Sequence, residues 1–271
     1  MDNAGEEETM RRFLVLATVL AMTLVPLTAG AETDENPIQL GLGDSVAWGF
    51  GASDSFTLGY VSLVNKRAPD LYCVGGSSDC APVELVNLAV PGATSSSLIA
   101  GQLQPALELL TERNSDDNPG NDVVLVTVTI GGNDLFNPVI AACAGGVTAE
   151  CTEVISNGFA TYTANLSQIL GSLRAAAGPG TEIAMMTYYN PLGACFLADL
   201  APLADLVLEG GGPLPFGLND IIRGVAAATG VTIVETYGEL RRDDFVGGQD
   251  CLHPDDSGYK RIARLFTTTL R

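Results

Sequence analysis

The segment Ile38-Gln39-Leu40-Gly41-Leu42-Gly43-Asp44-Ser45 decides how this chain folds. It is a short apolar run that ends on a glycine and turns polar within one step, the pattern of a buried strand closed by a turn. Four further runs of this kind follow, Val83–Val90, Val123–Ile130, Glu182–Tyr188 and Val231–Thr236. The stretches between them carry helical spacing. Thr57–Arg67 is one, and Ser96–Arg113, with Leu98, Leu103, Leu107 and Leu110 on one side, is another. Thr152–Ala177 places Ile155, Phe159, Tyr162, Leu166, Ile169 and Leu173 at steps of three and four, and Gly217–Thr229 and Ser257–Leu270 complete the set. Strand alternating with helix predicts an α/β fold, a parallel sheet covered on both faces. The Gly/Pro-rich stretch Glu209–Gly217 reads as a loop or lid within one domain, because the pattern resumes after it.

In open parallel sheets the functional residues lie beyond the carboxyl ends of the strands. Gly43-Asp44-Ser45 follows the first strand, Pro91-Gly92-Ala93-Thr94 the second and Gly131-Gly132-Asn133-Asp134 the third. Beyond the fifth, Asp250-Cys251-Leu252-His253 precedes the last helix. These supply a nucleophile, a backbone-exposing glycine, an amide donor and an acid–base pair, distant in sequence but expected on one rim. A serine hydroxyl attacks an acyl carbon well only when a base takes its proton. His253 is the only histidine in the chain, so it must be that base. Asp250, three residues earlier, can hold its tautomer, with Asp255 and Asp256 as nearby rivals. The Ser45 and Gly92 backbone amides and the Asn133 side chain can serve as oxyanion donors. Each block alone is an ordinary turn, cap or structural residue; order, spacing and position at strand ends together carry the reading.

These blocks, in this order, resemble the GDSL-type esterases and lipases of the SGNH hydrolase superfamily. They span most of the chain, and the one departure is valine in place of the usual leucine after Ser45. The resemblance implies a three-layer α/β/α sandwich with a five-stranded parallel sheet. It implies Ser45, His253 and Asp250 as catalytic residues, and Ser45, Gly92 and Asn133 as the oxyanion hole. No metal and no cofactor are expected. The size and six cysteines resemble in particular the secreted three-disulfide bacterial lipase and esterase branch.

Competing motifs are missing. The sequence has no G-x-S-x-G elbow and no Walker loop, and Gly41-Leu42-Gly43 lacks the third glycine of a dinucleotide fingerprint because position 46 is valine. A single histidine excludes the H-E-x-x-H zinc proteases, and its place near the C-terminus is the reverse of the chymotrypsin order. The 271 residues are 46% hydrophobic and carry 13 Lys+Arg against 32 Asp+Glu, a net charge of -19. A core is therefore available, and the basic footprint of a nucleic-acid binder is not.

Arg11 and Arg12, the apolar run Phe13–Gly30 and the small residues through Ala31 form a secretory signal pattern, with cleavage expected after Ala31. The run is at the short limit for a stable membrane anchor, and the acidic residues before Met10 suggest that Met10 is the true start. The mature chain, residues 32–271, is then expected to be extracellular and monomeric. An even cysteine count in a secreted chain argues for disulfides. Six cysteines allow about 15 connectivities and spacing does not choose among them. The pairing expected is Cys73–Cys80, Cys143–Cys151 and Cys195–Cys251. Trp48, Phe50, Leu135 and Phe136 are candidates to line an acyl groove, with Leu197–Leu208 and the Gly/Pro loop as its cover. The partner expected is an ester or lipid substrate: an acylglycerol, a phospholipid or a short-chain ester. A carbohydrate O-deacetylase on the same scaffold and a non-catalytic binding module are the alternatives.

Overall fold

A computed structural model describes residues 36–73, 80–115 and 118–270. The signal-peptide and start-site expectations lie outside these residues. Five strands, β1 (Ile38–Gly43), β2 (Glu84–Asn87), β3 (Val123–Thr129), β4 (Glu182–Met186) and β5 (Thr232–Val234), form one parallel sheet in the order β2-β1-β3-β4-β5. The helices are α1 (Ser45–Trp48), α2 (Ser55–Leu58), α3 (Tyr60–Asn65), α4 (Ala68–Leu71), α5 (Ser95–Leu98), α6 (Gln104–Asn114), α7 (Gly132–Cys143), α8 (Ala149–Ala177), α9 (Ala201–Glu209), α10 (Leu218–Thr229) and α11 (Asp256–Thr269).

The sheet is buried on both faces because alternate residues of each strand meet different helix layers. Leu40, Leu42, Val126, Val128, Ile183 and Met185 pack with Tyr162, Leu166, Ile169 and Leu173 of α8 and with α6 and α10. On the other face Leu125, Ala184, Met186 and Val234 pack with Tyr60, Val61 and Val64 of α3 and Tyr259, Ile262 and Phe266 of α11. This is the expected three-layer α/β/α sandwich. The strand order reverses direction between β1 and β3, and a crevice opens there at the carboxyl ends.

The elements differ from the sequence reading at identifiable places. The edge strand β2 stops at Asn87, not Val90, because the Asn87 side chain accepts from Ala89 N and donates to Ala47 O. Strands β4 and β5 end early where the Thr187 hydroxyl takes over, accepting from Thr236 N at 2.9 Å. The helix expected over Thr57–Arg67 breaks at Gly59, whose backbone is extended and passes against Gly49. A single π turn at Ile99–Leu103 interrupts the helix expected over Ser96–Arg113 and turns Gln102 inward. Helix α7 is not among the helices that spacing predicts; Gly132 and the internal Pro138 mask a helical apolar face of Leu135, Val139 and Cys143.

The structure pairs Cys73 with Cys80, Cys143 with Cys151 and Cys195 with Cys251. No helix among the described residues is long and apolar enough to cross a membrane.

Candidate active site

The turn after β1 is built around glycine. Gly43 has φ +139°, and a Cβ there would lie 2.0 Å from Thr129 O. Its N–H and C=O are both taken by the Gln102 side chain, at 2.9 and 2.7 Å, which holds the strand end rigid. Asp44 follows as the N-cap of α1, accepting from Val46 N at 2.9 Å, and Ser45 opens the helix.

The Ser45 Oγ lies 2.9 Å from Nε2 of His253, and Nδ1 of the same ring lies 2.8 Å from Asp250 Oδ2. The other Asp250 oxygen accepts from the amides of Leu252 and His253, both at 2.9 Å. Burial opposes ionisation of Asp250, but those amides and the imidazole outweigh it and hold the carboxyl below its usual range. The two rival carboxylates are engaged elsewhere. Asp255 caps α11 through Ser257 N and Gly258 N, and Asp256 binds the N–H and hydroxyl of Ser53. The histidine loop is held by the Cys195–Cys251 disulfide, by Val246 N on His253 O and by the Tyr189 hydroxyl on Leu252 O.

Gly92 occupies the turn after β2 with φ +81°. Asn133, at the start of α7, donates one amide hydrogen to Ala93 O at 2.9 Å, which ties the two blocks together and leaves its second hydrogen available. Among the described residues, no acceptor is paired with the backbone N–H of Ser45 or Gly92. Asp134 fixes the same junction from behind by accepting from both the N–H and the hydroxyl of Ser95. Asn165, within a glycosylation-like Asn-Leu-Ser triplet, donates to the Ser95 and Ser96 hydroxyls. The glycine pair before Asn133 makes room for two buried tyrosines. A Cβ on Gly131 (φ +131°) would lie 2.7 Å from the Tyr162 ring, and one on Gly132 would lie 3.0 Å from Tyr188.

Tyr188 carries no motif in the sequence, yet its hydroxyl donates to Asp44 Oδ2 at 2.6 Å. Burial, with the Asp134 charge adding to it, pushes the Asp44 carboxyl up to about 6 despite this bond and the helix amides. Tyr188 is held in turn by Asn219 of α10, which exchanges hydrogen bonds with its backbone at 2.7 and 2.8 Å.

From Ser45 a pocket runs between α7, α9 and α10. Leu135, Phe136, Val139, Leu203, Val207 and Leu218 are among its apolar walls. The expectation thus holds for Leu135 and Phe136 and for the α9 segment of Leu197–Leu208. It fails for Trp48 and Phe50, which lie outside the pocket; Phe50 instead packs at a tilt against His253, with ring centroids 4.6 Å apart. It fails too for the Gly/Pro loop, whose Leu214, Pro215 and Phe216 pack beside Phe159 of α8. Helix α9 covers the pocket because Asn190 bonds both Ala201 O and Asp205, and Tyr237 bonds Asp205. Among the described residues no group of His, Cys, Asp and Glu is arranged to hold a metal ion.

This fold, with a serine–imidazole–carboxylate chain at the switch point of its sheet, has the architecture of an acyl hydrolase. The profile of the GDSL-like lipase/acylhydrolase family matches residues 42–261, and the chain belongs to that family. The protein is a carboxylic ester hydrolase. Solved structures of the same fold include a lipase from a goat rumen metagenome, with a TM-score of 0.60 at 19% identity, covering 86% of this chain and 97% of that one. Another is the extracellular lipase of Streptomyces rimosus, with a TM-score of 0.57 at 19% identity, covering 86% and 99%. A third is phospholipase A1 from Streptomyces albidoflavus NA297, with a TM-score of 0.54 at 21% identity, covering 86% and 99%. No curated protein sequence matches the chain.

Proposed function

We propose that the protein is a secreted serine esterase or lipase that cleaves esters of aliphatic acids through an acyl-enzyme on Ser45. The observation that carries this is the Ser45–His253–Asp250 hydrogen-bond chain opening directly onto a pocket with apolar walls. In this reading His253 takes the Ser45 proton as Oγ attacks the ester carbonyl, and Asp250 stabilises the imidazolium. The oxyanion is met by the Ser45 and Gly92 amides and the remaining Asn133 hydrogen. His253 then protonates the leaving alcohol, and water repeats the cycle to release the acid.

The aliphatic acyl group is supported by the pocket walls, which offer hydrocarbon contact along α7 and α9. An acetyl group, as in carbohydrate deacetylation, would leave most of that pocket empty. Secretion is supported by the signal pattern before Glu32 and by three disulfides, which persist in oxidising compartments.

The test is hydrolysis of p-nitrophenyl esters from acetate to palmitate by wild type and by Ser45→Ala. The variant is expected to lose on the order of 10³-fold or more while keeping its circular dichroism. Undiminished turnover in Ser45→Ala would remove the assignment. An optimum at acetate would move the substrate towards short-chain or sugar esters.

A further inference from the structure

The large apolar side chains that the fold leaves in water are not scattered. Among the described residues the exposed set is Phe50, Phe56, Val90, Val147, Phe196, Phe216 and Val246, with Phe56 77% and Phe196 64% exposed. Five of these seven lie on or against the segments that carry Ser45, Gly92 and His253. Phe50 lies on the His253 ring, and Trp48 links it to Phe56, with centroids 6.4 and 5.7 Å away. Val246 donates its N–H to His253 O and lies against Gly51. Phe196 follows Cys195, the disulfide partner of Cys251, and donates its N–H to Gly248 O. Val90 precedes the Gly92 turn and donates its N–H to Gly43 O, two residues before Ser45.

We propose that Phe50, Phe56, Val90, Phe196 and Val246 form an apolar collar that seats the protein on an uncharged lipid–water interface, with the mouth of the Ser45 pocket facing the lipid. This deepens the proposed function and rests on it for the meaning of the pocket. Exposed apolar groups gathered at one place mark a contact surface, and here they sit on the segments that carry Ser45, Gly92 and His253, next to a pocket with apolar walls that Ser45 itself lines. A collar of phenyl rings and valines suits hydrocarbon. A sugar surface would also need polar groups beside the rings for its hydroxyls. The net charge of -19 selects among lipid surfaces, because anionic headgroups repel an acidic protein and zwitterionic or neutral ones do not.

Such seating serves the reaction. An acyl chain leaving a lipid layer would otherwise cross water before reaching Ser45, and a collar pressed into the surface keeps its path apolar. Interfacial proteins commonly insert a few apolar side chains into the headgroup boundary, and each buried ring adds to affinity.

The test is flotation of the proposed mature protein, residues 32–271, with phosphatidylcholine vesicles, for wild type, Phe56→Ser, Phe196→Ser and the double variant. None of these residues belongs to the proposed catalytic set, so p-nitrophenyl acetate hydrolysis, a soluble reaction, reports folding. Wild type is expected to float, each single variant to lose about tenfold in vesicle affinity and the double variant more. Acetate hydrolysis should be unchanged in all. Adding phosphatidylglycerol to the vesicles should weaken binding, and salt should restore it. Binding of the double variant equal to wild type, or no flotation of wild type, would overturn the proposal. So would binding that rises with phosphatidylglycerol, or retention of wild type on insoluble xylan with none on vesicles. If the double variant fails to fold, the two single variants decide the matter. Activity surviving in Ser45→Ala would instead defeat the catalytic reading and leave the flotation result standing.

Discussion

Asp44 sits beside Ser45 with 2% of its surface exposed, and its carboxyl is pushed up to about 6 from an ordinary 3.8. The folded protein therefore keeps a proton there that the unfolded chain loses near pH 4. Stability from this group falls as pH rises from about 4 to 6 and stays lowered above that, by about 3 kcal/mol. Asp44→Asn removes the titration but keeps the side-chain shape. Urea unfolding should show the variant gaining about 3 kcal/mol on wild type between pH 4 and pH 7.5; a pH-independent difference would mean that no charge is buried there. Among the residues of the site, the polar ones were legible as short blocks because serine, histidine, asparagine and glycine have few reasons to recur in that order. Tyr188 and Gln102 were not, because each acts through a partner more than 50 residues away, Asp44 and Gly43 respectively.

At the scale of elements, the loop Asp250–His253 is held by a disulfide spanning 56 residues, Cys195–Cys251, whose closure contributes about 4 kcal/mol in the chain-entropy account. Its cysteines flank the pocket, so Cys195→Ser/Cys251→Ser should lose ester hydrolysis at a lower urea concentration than it loses helical circular dichroism. Coincident loss would show that the bond only stabilises the whole fold. In the proposed function, helix α9 sets how much acyl chain fits. Ala204 faces the pocket among Leu203, Val207 and Leu208. Ala204→Phe fills that space and should reduce hydrolysis of p-nitrophenyl palmitate by tenfold or more relative to acetate, about 1.4 kcal/mol of lost chain contact. An unchanged ratio would place the acyl chain elsewhere. Long, strongly periodic elements such as α8 were readable from spacing. Helix α7 was hidden by Gly132 and Pro138, and β2, at the sheet edge, ended where Asn87 turned its side chain onto the backbone.

For the whole molecule the governing quantity is the net charge of -19. Removing residues 1–31 takes away four acids and two arginines, so the proposed mature chain stays near -17. Acidic side chains over the surface repel one another and oppose the compact state. Raising sodium chloride from 0.05 to 1 M cuts the screening length to about 3 Å and should raise Tm by several degrees at pH 7.5; a Tm that falls with salt would mean that attractive pairs such as Arg261–Asp244 and Arg223–Glu235 dominate instead. What the sequence determined by itself is the parallel α/β sandwich and the four blocks at its strand ends. Alternating apolar runs have few ways to bury both faces, and strand ends share one rim whatever the details. Tertiary structure alone decided which side chains stand behind and around that rim. The Tyr188–Asp44 contact, the inward turn of Gln102, the apolar pocket under α9 and the placing of exposed Phe50 against His253 depend on distances between elements, which no local pattern along the chain encodes.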